Sequence, residues 1–176
     1  MKFFRELDTK ISNNFSAFSQ KDSIGHYFCK LFEFLCHGIP WFLLSLIMLY
    51  RNHDSIWLNF FLGLLFDIVS IAILKVIFRR QRPSFNVNDM FMTISIDNYS
   101  FPSGHSSRAS FIMFYFSKFV IIKAENFVIL IALIAWCHVT CLTRLLMGRH
   151  HFSDIIIGYV IGFSNYLLVC SLPEIL

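Results

Sequence analysis

Long apolar runs separated by short polar stretches dominate the chain. Two of them, residues 56–78 and 126–148, reach the roughly 20 mostly apolar residues that a helix needs to cross a membrane. A third run, residues 155–172, is nearly as long and contains no charged residue. The pattern predicts a membrane-spanning helix for each of the three runs.

The first long apolar run along the chain is interrupted by charges. Residues 27–50 form a span if Lys30 and Glu33 lie at its beginning and extend their charged groups outward, towards water. Pro40 falls inside this run. It predicts a kink, which the neighbouring helices of a membrane bundle can tolerate.

A fifth run, residues 106–122, also contains charges. Arg108 and Lys118 both lie near its ends, and the apolar segment FIMFYF separates them. A span is therefore predicted here as well. The fold class that follows is all-α: a polytopic membrane helical bundle of about five spans.

The first 26 residues have a different pattern, in which apolar positions recur at steps of four, four and three. These positions are Leu7, Ile11, Phe15 and Phe18. They lie on one face of a helix, with basic residues around it. The segment 1–26 is predicted to be an amphipathic helix at the membrane surface, and residues 27–176 the membrane-embedded domain.

The composition agrees with a membrane protein and excludes other classes. Hydrophobic residues make up 56% of the 176 residues, 22 residues are Phe, and only 15% are charged. A chain this short cannot bury so much apolar surface in one soluble core. It also lacks the solvated basic face of a nucleic-acid-binding module. The five cysteines fall in or beside the spans, which favours free thiols over disulfides or a metal site.

Counting the spans places most of the candidate catalytic and binding residues on one side of the membrane. If the five helices alternate in direction, four helix ends share the side of the amino terminus. They are the end of the second span, the start of the third, the end of the fourth and the start of the fifth. The segments at these ends are residues 75–83, 101–107 and 143–154. One shared site is predicted there.

The segment that follows the second span is rich in cations. Lys75 lies about one turn inside the apolar run, where an ammonium group is costly without an anionic partner or a path to water. Pro83 ends the helix and fixes the chain direction after Arg82. Arg79 and Arg80 are interpreted as a basic stop at the membrane edge.

The segment before the third span is a Pro-Ser-Gly turn that opens a helix. Such a turn exposes backbone N–H groups which, together with the helix dipole, bind anions. Gly104 lets the backbone approach a ligand closely, and His105 can exchange a proton near neutral pH. Taken alone, the segment is also compatible with an ordinary helix start.

The segment between the fourth and fifth spans combines an arginine with a histidine and a carboxylate. Arg144 lies close to the apolar run, and His150 and Asp154 share a helix face if the helix begins there. A carboxylate bonded to one ring nitrogen fixes the tautomer and leaves the other nitrogen as a nucleophile or base. Taken alone, the pair is equally compatible with a surface pair, and no further carboxylate joins it to form a metal site.

Together the three segments suit a phosphate group. Lys75, Arg82 and Arg144 can offset a phosphate dianion, each charge pair at about 4 Å contributing roughly 4 kcal/mol at an effective dielectric constant near 20. One histidine can attack phosphorus while the other protonates the leaving oxygen. Because three cations can neutralise the transition state, neither a metal ion nor another cofactor is expected.

In order and spacing, the segments resemble the three-part signature of the type 2 phosphatidate phosphatase superfamily. The matching residues are Lys75-x6-Arg82-Pro83, Pro102-Ser103-Gly104-His105 and Arg144-x5-His150-x3-Asp154. The resemblance extends over roughly residues 36–172. Thr143 departs from the family pattern, which usually has Ser at this position; both side chains carry a hydroxyl group.

The resemblance implies a helical bundle and a phosphohistidine mechanism. His150 corresponds to the nucleophile and Asp154 to the residue that orients it. His105 corresponds to the acid for the leaving group and then to the base for water. The phosphate-binding groups correspond to Lys75, Arg82, Ser103, Gly104 and Arg144.

The stretches that flank the motifs are most similar to the polyisoprenoid diphosphate phosphatase branch, which includes presqualene diphosphate phosphatase. This predicts a presqualene, farnesyl or geranylgeranyl diphosphate or monophosphate as the lipid substrate. The alternative substrates are phosphatidate, lysophosphatidate and sphingosine phosphate. A catalytically silent membrane regulator is a further alternative, as is a transporter with a polar path through Asp67, Lys75 and His138. Apart from the transporter, Asp67 and His138 are not assigned to the site.

Basic residues concentrate on the side of the amino terminus. Those in the first segment are Lys2, Arg5, Lys10 and Lys21. The positive-inside rule therefore predicts that the amino terminus and the site face the cytoplasm. The similar branch implies a location in the endoplasmic reticulum or the nuclear envelope.

Overall fold

The computed structural model describes residues 2–16, 23–52, 54–84, 86, 95–122 and 127–171. The α-helices in this part of the chain are α1 (Lys2–Ser16), α2 (Ile24–Leu35), α3 (Gly38–Asn52), α4 (Ser55–Phe78), α5 (Gly104–Ile122), α6 (Phe127–Leu146) and α7 (Phe152–Cys170). A short 3-10 helix spans Ser95–Asn98. The predicted all-α membrane bundle is confirmed. Phe18 and Lys21 lie outside the described residues.

Four stretches of the described chain are long and apolar enough to cross a membrane. They are Ile24–Asn52, which combines α2 and α3, then Ser55–Phe78, Phe127–Leu146 and Phe152–Cys170. These stretches correspond to four of the five predicted spans. The remaining predicted span is α5, which is less apolar.

Helix α5 is less apolar because it lies at the centre of the bundle. It packs against α4, α6 and α7. Its residues Ser106, Ser107 and Ser110 are fully buried, as is Phe111, whose ring stacks on Phe60 of α4. Since protein surrounds α5, polar and charged side chains are tolerated there more readily than on a helix in contact with lipid.

The first predicted span is broken rather than kinked at its proline. Helix α2 ends at Leu35 and α3 begins at Gly38, so Pro40 lies in the first turn of α3. The N–H groups of a first turn have no partner within their helix, and proline therefore costs little there. The Leu35 carbonyl, freed by the break, accepts a hydrogen bond from Trp41 Nε1 at 2.8 Å.

The predicted outward position of Glu33 is wrong. Its side chain is only 3% exposed and faces the interior of the bundle, whereas Lys30 is half-buried. Glu33 Oε2 lies 3.1 Å from Arg144 Nη1 of α6. A carboxylate can be buried at this depth because a guanidinium group is buried beside it.

Helix α1 caps the beginning of α7. Asp8 Oδ1 accepts a hydrogen bond from Ser153 N at 2.9 Å, and Ser12 Oγ accepts one from Phe152 N at 3.1 Å. Both are N–H groups that a helix start leaves without a partner within the helix. Leu7 and Phe15, on the predicted apolar face, are 43% and 40% exposed. Polar side chains thus attach α1 to the bundle while apolar ones remain available for lipid.

Helices α5 and α7 pack closely through small residues. A Cβ atom at Gly162 would overlap the Ser107 carbonyl oxygen, and one at Gly158 would overlap the Ser103 carbonyl oxygen. Glycine at both positions lets the two backbones touch, as small residues four apart do in many membrane helices. All five cysteines of the chain are free thiols.

Candidate active site

A cavity of about 280 Å³ lies where the end of α4, the start of α5 and the end of α6 meet. Six of the eight predicted site residues line it: Lys75, Arg82, Gly104, His105, Arg144 and His150. The other two, Ser103 and Asp154, are fully buried nearby and do not line the cavity. Segments far apart in sequence therefore converge at the helix ends that span counting indicates.

The chain after α4 pairs with the chain before α5. Arg79, with a left-handed φ of 45°, ends α4, and its N–H donates to the Lys75 carbonyl at 3.0 Å. Gln81 then forms an antiparallel bridge with Tyr99, and Ser100 N donates to the Arg80 carbonyl at 2.8 Å. This pairing holds the segment that precedes α5 against the end of α4.

Lys75 and Arg82 are both held by Asp97, which the sequence motifs do not include. Lys75 Nζ lies 2.8 Å from Asp97 Oδ1. Arg82 donates through Nε and Nη2 to the Asp97 carbonyl, at 2.9 and 2.6 Å, and through Nη1 to the Arg149 carbonyl at 2.7 Å. Burial and the nearby Arg149 guanidinium lower the pKa of Arg82 to about 10. Arg82 therefore stays charged at neutral pH.

Two buried arginines share the carboxylate of Glu33. Arg144 Nη1 and Arg149 Nη2 lie 3.1 and 3.4 Å from Glu33 Oε2, and both arginines are 1% exposed. All three side chains line the cavity. Arg149 is absent from the predicted site, although its position next to His150 in the sequence is a signal that could have identified it. Glu33 lies in a distant segment and gave no such signal.

A tight turn after α6 orients Arg149 and His150. Gly148 has a φ of 62°, which glycine adopts without steric cost, and Arg149 N donates to the Arg144 carbonyl at 3.0 Å. The chain reverses here before α7 begins. The turn places both Arg149 and His150 at the cavity wall.

A backbone carbonyl contacts His150, and Asp154 lies further away. His150 Nδ1 lies 2.6 Å from the Ser100 carbonyl oxygen and 4.0 Å from Asp154 Oδ2. Because a carbonyl can only accept, this hydrogen bond requires the proton on Nδ1 and leaves a lone pair on Nε2. Burial, with the Arg82 and Lys75 cations nearby, lowers the pKa of His150 well below its usual range.

Asp154 caps α7 and forms an ion pair with Arg80. Its Oδ2 accepts a hydrogen bond from His151 N at 2.8 Å, because α7 begins at Phe152 with His151 as the capping residue. The expected shared helix face of His150 and Asp154 is therefore not formed. Arg80 Nη1 lies 2.6 Å from Asp154 Oδ1, and Arg80 Nη2 lies 2.6 Å from Asp8 Oδ2.

The interpretation of Arg80 as a basic stop at the membrane edge is wrong. Its guanidinium group bridges the carboxylates of α1 and α7 and is 18% exposed. Arg79, in contrast, is exposed, and its Nε donates to the Val76 carbonyl of its own helix at 3.0 Å. Only the contact with two distant helices distinguishes these neighbouring arginines.

The turn before α5 supplies a helix cap and a buried imidazole. Ser103 Oγ accepts hydrogen bonds from Ser106 N at 3.3 Å and from Ser106 Oγ at 2.9 Å, so its hydroxyl caps α5. Ser103 N donates to the Asp154 carbonyl at 3.0 Å, which fixes the turn against α7. His105 Nε2 is buried and has no hydrogen-bond partner among the described residues.

Arg108 is a further cation of the cavity wall. Its Nη1 donates to the Cys36 carbonyl at 3.2 Å, and its Nη2 lies 3.5 Å from Asp67 Oδ2. Asp67 is fully buried and also accepts a hydrogen bond from Ser107 Oγ. Asp67 therefore supports Arg108 from outside the cavity. The sequence pattern treats Arg108 only as a charge near the end of a span.

One wall of the cavity is apolar and is built by α3 and α4. Its residues are Ile39, Phe42, Ile68, Ile71 and Ala72. A cavity with cations on one side and aliphatic and aromatic groups on another suits an amphiphile with an anionic head and an apolar chain.

The polar path of the transporter alternative is not formed. Neither Asp67 nor His138 lines the cavity that contains Lys75. His138 is exposed on α6, and its Nδ1 lies 2.7 Å from the Ile134 carbonyl oxygen of the same helix. In the part of the chain that the structure describes, no three His, Cys, Asp or Glu side chains are arranged to hold a metal ion.

The same fold occurs in solved membrane phosphatases. The chain resembles the PAP2-type phosphatidylglycerolphosphate phosphatase from Bacillus subtilis with a TM-score of 0.72 and 21% sequence identity, over 97% of this chain and 86% of that one. It resembles LpxE from Aquifex aeolicus with a TM-score of 0.66 and 21% identity, over 95% of this chain and 94% of that one.

Sequence comparison gives the family. The chain is 34% identical over 135 residues to the probable lipid phosphate phosphatase beta of Arabidopsis thaliana. This match covers 64% of the chain and 63% of the relative, so the chain spans less than two thirds of that relative's length. Residues 56–174 match the family model of the PAP2 superfamily, and this range contains all three motifs. The protein therefore belongs to the PAP2 superfamily.

Proposed function

We propose that the protein is a metal-independent lipid phosphate phosphohydrolase that acts through a phosphohistidine intermediate. The observation that carries the proposal is the contact between His150 Nδ1 and the Ser100 carbonyl, which leaves the Nε2 lone pair available for attack. His150 lines the same cavity as Lys75, Arg82 and Arg144. A nucleophile and three cations at one cavity match the needs of phosphoryl transfer.

In the first step, His150 Nε2 attacks the phosphorus atom of the bound headgroup. A P–N bond forms while the bond between phosphorus and the leaving oxygen breaks. His105 donates a proton to that oxygen, so the leaving group departs neutral at this atom. The absence of a hydrogen-bond partner for His105 Nε2 among the described residues supports this role, because the nitrogen is free to bind a substrate oxygen.

In the second step, His105 accepts a proton from water. The resulting hydroxide attacks the phosphorus of the phosphohistidine, the P–N bond breaks, and orthophosphate leaves. His150 returns to its neutral form with the proton still on Nδ1. Asp154 acts on this histidine through α7, which it caps, and at a distance of 4.0 Å from Nδ1.

The negative charge on the phosphate oxygens in the transition state is offset by fixed cations. Lys75, Arg82 and Arg144 are assigned to the phosphate oxygens, and Arg149 joins them as a fourth cation that lines the cavity. Gly104 opens α5 at the cavity, where its backbone can approach the phosphate closely. Ser103, which the family resemblance assigns to phosphate binding, does not line the cavity, and we assign its hydroxyl instead to capping the helix that begins there.

The proposed substrates are polyisoprenoid diphosphates or monophosphates with presqualene, farnesyl or geranylgeranyl chains. The apolar wall on α3 and α4 supports an aliphatic chain, and the name of the Arabidopsis relative supports a lipid phosphate. Phosphatidate, lysophosphatidate and sphingosine phosphate are the alternative substrates. The Bacillus subtilis structure, a phosphatidylglycerolphosphate phosphatase, favours a glycerolipid among these.

The proposed arrangement in the cell follows from charge. We propose that residues 1–26 are an interfacial segment and that residues 27–176 are the membrane-embedded phosphatase domain. The amino terminus and the cavity face the cytoplasm. The endoplasmic reticulum or the nuclear envelope is the proposed membrane.

The decisive experiment measures phosphate release by the membrane-inserted protein with chelator present. The substrates are farnesyl, geranylgeranyl and presqualene diphosphates and phosphatidate. We expect His150→Ala to lower release by more than about 1,000-fold, since the nucleophile is lost. The matched control is His138→Ala, which removes an exposed imidazole outside the cavity and should release phosphate like the wild type.

Two results would contradict the proposal. Unchanged release by His150→Ala excludes this histidine as the nucleophile, and a requirement for added divalent metal excludes the metal-free mechanism. Quenching of the wild type in alkaline detergent, in which the acid-labile P–N bond survives, should trap label from a substrate with labelled phosphorus on the protein, and His150→Ala should retain none.

A further inference from the structure

The hydrolysis described above does not use Arg108. The cations assigned to the transferred phosphate are contributed by the end of α4 and the chain that follows it, the end of α6 and the loop before α7. Arg108 instead lies within α5, three residues after His105, and both side chains line the cavity. Residues three apart share one helix face. With a rise of 1.5 Å per residue, Arg108 lies roughly 4.5 Å further along α5 than His105.

The guanidinium group of Arg108 is held in place by two contacts, but not all of its N–H donors are engaged. The Cys36 carbonyl and the Asp67 carboxylate hold its two terminal nitrogens at 3.2 and 3.5 Å. Its Nε has no hydrogen-bond partner among the described residues. An arginine has five N–H donors in a rigid fork, so capacity for an anionic ligand remains.

The surroundings of Arg108 indicate where that ligand would lie. A Cβ atom at Gly38 would lie 3.4 Å from Arg108 Cζ, so the guanidinium group packs over the first residue of α3. The apolar wall begins at the next residue, Ile39. Along α5 the cavity thus offers the histidine that is assigned to the leaving oxygen, then a cation, and close to that cation an apolar surface.

We propose that Arg108 binds the ester-linked phosphate of a lipid diphosphate while the terminal phosphate lies between His150 and the other cations. This inference rests on the proposed function and selects the diphosphates among its substrates. His150 Nε2 forms a bond to the terminal phosphorus, and the bond from that phosphorus to the bridging oxygen breaks. His105 gives its proton to the bridging oxygen. The leaving group is the lipid monophosphate, whose phosphate is bound by Arg108.

This assignment makes Arg108 a determinant of specificity. In a diphosphate the leaving group is itself a phosphate, whose charge a guanidinium fork neutralises through paired hydrogen bonds. In a lipid monophosphate the leaving group is an alcohol with no charge to bind. Loss of Arg108 should therefore affect the two kinds of substrate unequally.

The test compares farnesyl diphosphate with farnesyl monophosphate, which share one apolar chain. Each substrate is supplied in a separate reaction and its disappearance is measured, because hydrolysis of farnesyl diphosphate produces farnesyl monophosphate. In Arg108→Gln we expect kcat/KM for the diphosphate to fall about 10- to 100-fold, the range for loss of a charged hydrogen-bonding partner. The kcat/KM of Arg108→Gln for the monophosphate should stay within about threefold of the wild-type value. Arg108→Lys keeps a positive charge, so its selective loss for the diphosphate should be smaller than that of Arg108→Gln. The matched control, Arg79→Gln, removes an exposed arginine and should change neither value.

An equal loss for both substrates in Arg108→Gln, or no loss for either, would overturn the inference. If that variant does not reach the membrane, Asp67→Asn decides in its place, since it weakens the support of Arg108 without removing it. A selective loss for the diphosphate in Asp67→Asn supports the inference and an unselective effect overturns it. Failure of the wild type to hydrolyse either substrate would instead contradict the proposed function itself.

Discussion

At the scale of single residues, the surroundings of His150 favour the neutral imidazole. Burial and the cations Arg82 and Lys75 lower its pKa well below the usual value. The Ser100 carbonyl, 2.6 Å from Nδ1, selects the tautomer with the lone pair on Nε2. The proposed nucleophile should therefore remain deprotonated in mildly acidic solution, where an ordinary histidine, with a pKa of about 6.5, is largely protonated.

The acidic limb of the pH profile for kcat/KM should consequently lie below pH 6.5 or so. Arg82→Gln should lower the rate and also move this limb to higher pH, because removing a nearby cation makes protonation of His150 easier. The measurement is kcat/KM for one diphosphate substrate between pH 4 and 8, values chosen to bracket the usual histidine pKa of about 6.5.

Arg79→Gln is the control for this profile, since it removes the same charge from an exposed position at the end of α4. Its limb should coincide with that of the wild type. A limb that stays in place or moves to lower pH in Arg82→Gln would contradict the electrostatic account of His150.

Motif spacing could predict the residues that carry the proposed chemistry, but not all their partners. Lys75, His105 and His150 follow from motif and span counting, and all three line the cavity. Glu33 and Asp97 line it as well, and no motif indicates them. Their positions depend on how α2 and the 3-10 helix pack, and this packing leaves no periodic signal in the sequence.

At the scale of elements, α1 is attached to α7 by polar contacts that depend on the charge of Asp8. Burial raises the pKa of Asp8, but hydrogen bonds from Ser153 and Arg80 outweigh this effect and lower the pKa below its usual value. Because the folded-state pKa is the lower one, Asp8 contributes stability above its unfolded pKa of about 4. This contribution is lost as the pH falls through the folded-state pKa.

Asp8→Asn should therefore loosen α1 from the bundle. We expect about 1 kcal/mol less stability at pH 7, because Asn keeps an oxygen that can accept from Ser153 N but loses the charge that pairs with Arg80 Nη2. The loss of stability is measured as a lower midpoint of thermal unfolding in detergent, and the loosening of α1 as faster proteolysis within this helix. The difference from the wild type should shrink as the pH falls below about 4, since protonated Asp8 is also uncharged.

Glu6→Gln supplies the comparison, because Glu6 is an exposed carboxylate on the same helix. It should unfold like the wild type at each pH. Equal destabilisation by the two substitutions would indicate a general charge effect and contradict the specific ion pair of Asp8 with Arg80.

The hydrophobic pattern predicts the helices better than their interruptions. It predicts residues 27–50 as one span, and in the structure the stretch Ile24–Asn52 meets the length and apolarity of a span. The break before Gly38 is absent from the pattern because both helices are apolar. Pro40 marks the region, but the chain leaves the helix earlier, so that the proline occupies the first turn of α3.

At the scale of the whole molecule, the arrangement depends on the close approach of α5 and α7. His105 belongs to α5, and His150 immediately precedes the capping residue of α7. Gly162 permits contact with the Ser107 carbonyl, and Gly158 permits contact with the Ser103 carbonyl. Two glycines that do not line the cavity thus permit the helix contact that lies behind both histidines.

Gly162→Ala should separate the two helices. The added methyl group overlaps the backbone of α5 and cannot be relieved by turning a side chain. We expect about 1–3 kcal/mol of lost stability, as for other overpacked interiors. Activity should fall about 100-fold, since small displacements of reacting groups are costly. Thermal unfolding in detergent and phosphate release measure the two effects.

Ser164→Ala is the matched control on the same helix, since Ser164 is exposed and its hydroxyl bonds only to the Val160 carbonyl in the described structure. It should leave both quantities nearly unchanged. Wild-type stability and activity in Gly162→Ala would contradict the proposed importance of this contact.

Span counting also predicts the overall arrangement of the bundle, because alternating helices must return their ends to the same side. It does not predict which helix is central. Helix α5 is the central helix, since its serines and Phe111 are surrounded by protein. The hydrophobic pattern cannot predict this, because it does not distinguish burial in protein from contact with lipid. Arg108, one of the two charges that weaken the prediction of α5 as a span, is tolerated because protein surrounds it, whereas Lys118 is exposed.

The break between α2 and α3 links substrate choice to the architecture of the protein. It leaves the Cys36 carbonyl outside a regular helix, and Arg108 is the group that donates to this oxygen at 3.2 Å. A backbone carbonyl without a partner is costly inside a membrane protein. Under the proposed role of Arg108, a substitution that changes the choice of substrate also removes this donor, so specificity and folding are linked through one side chain.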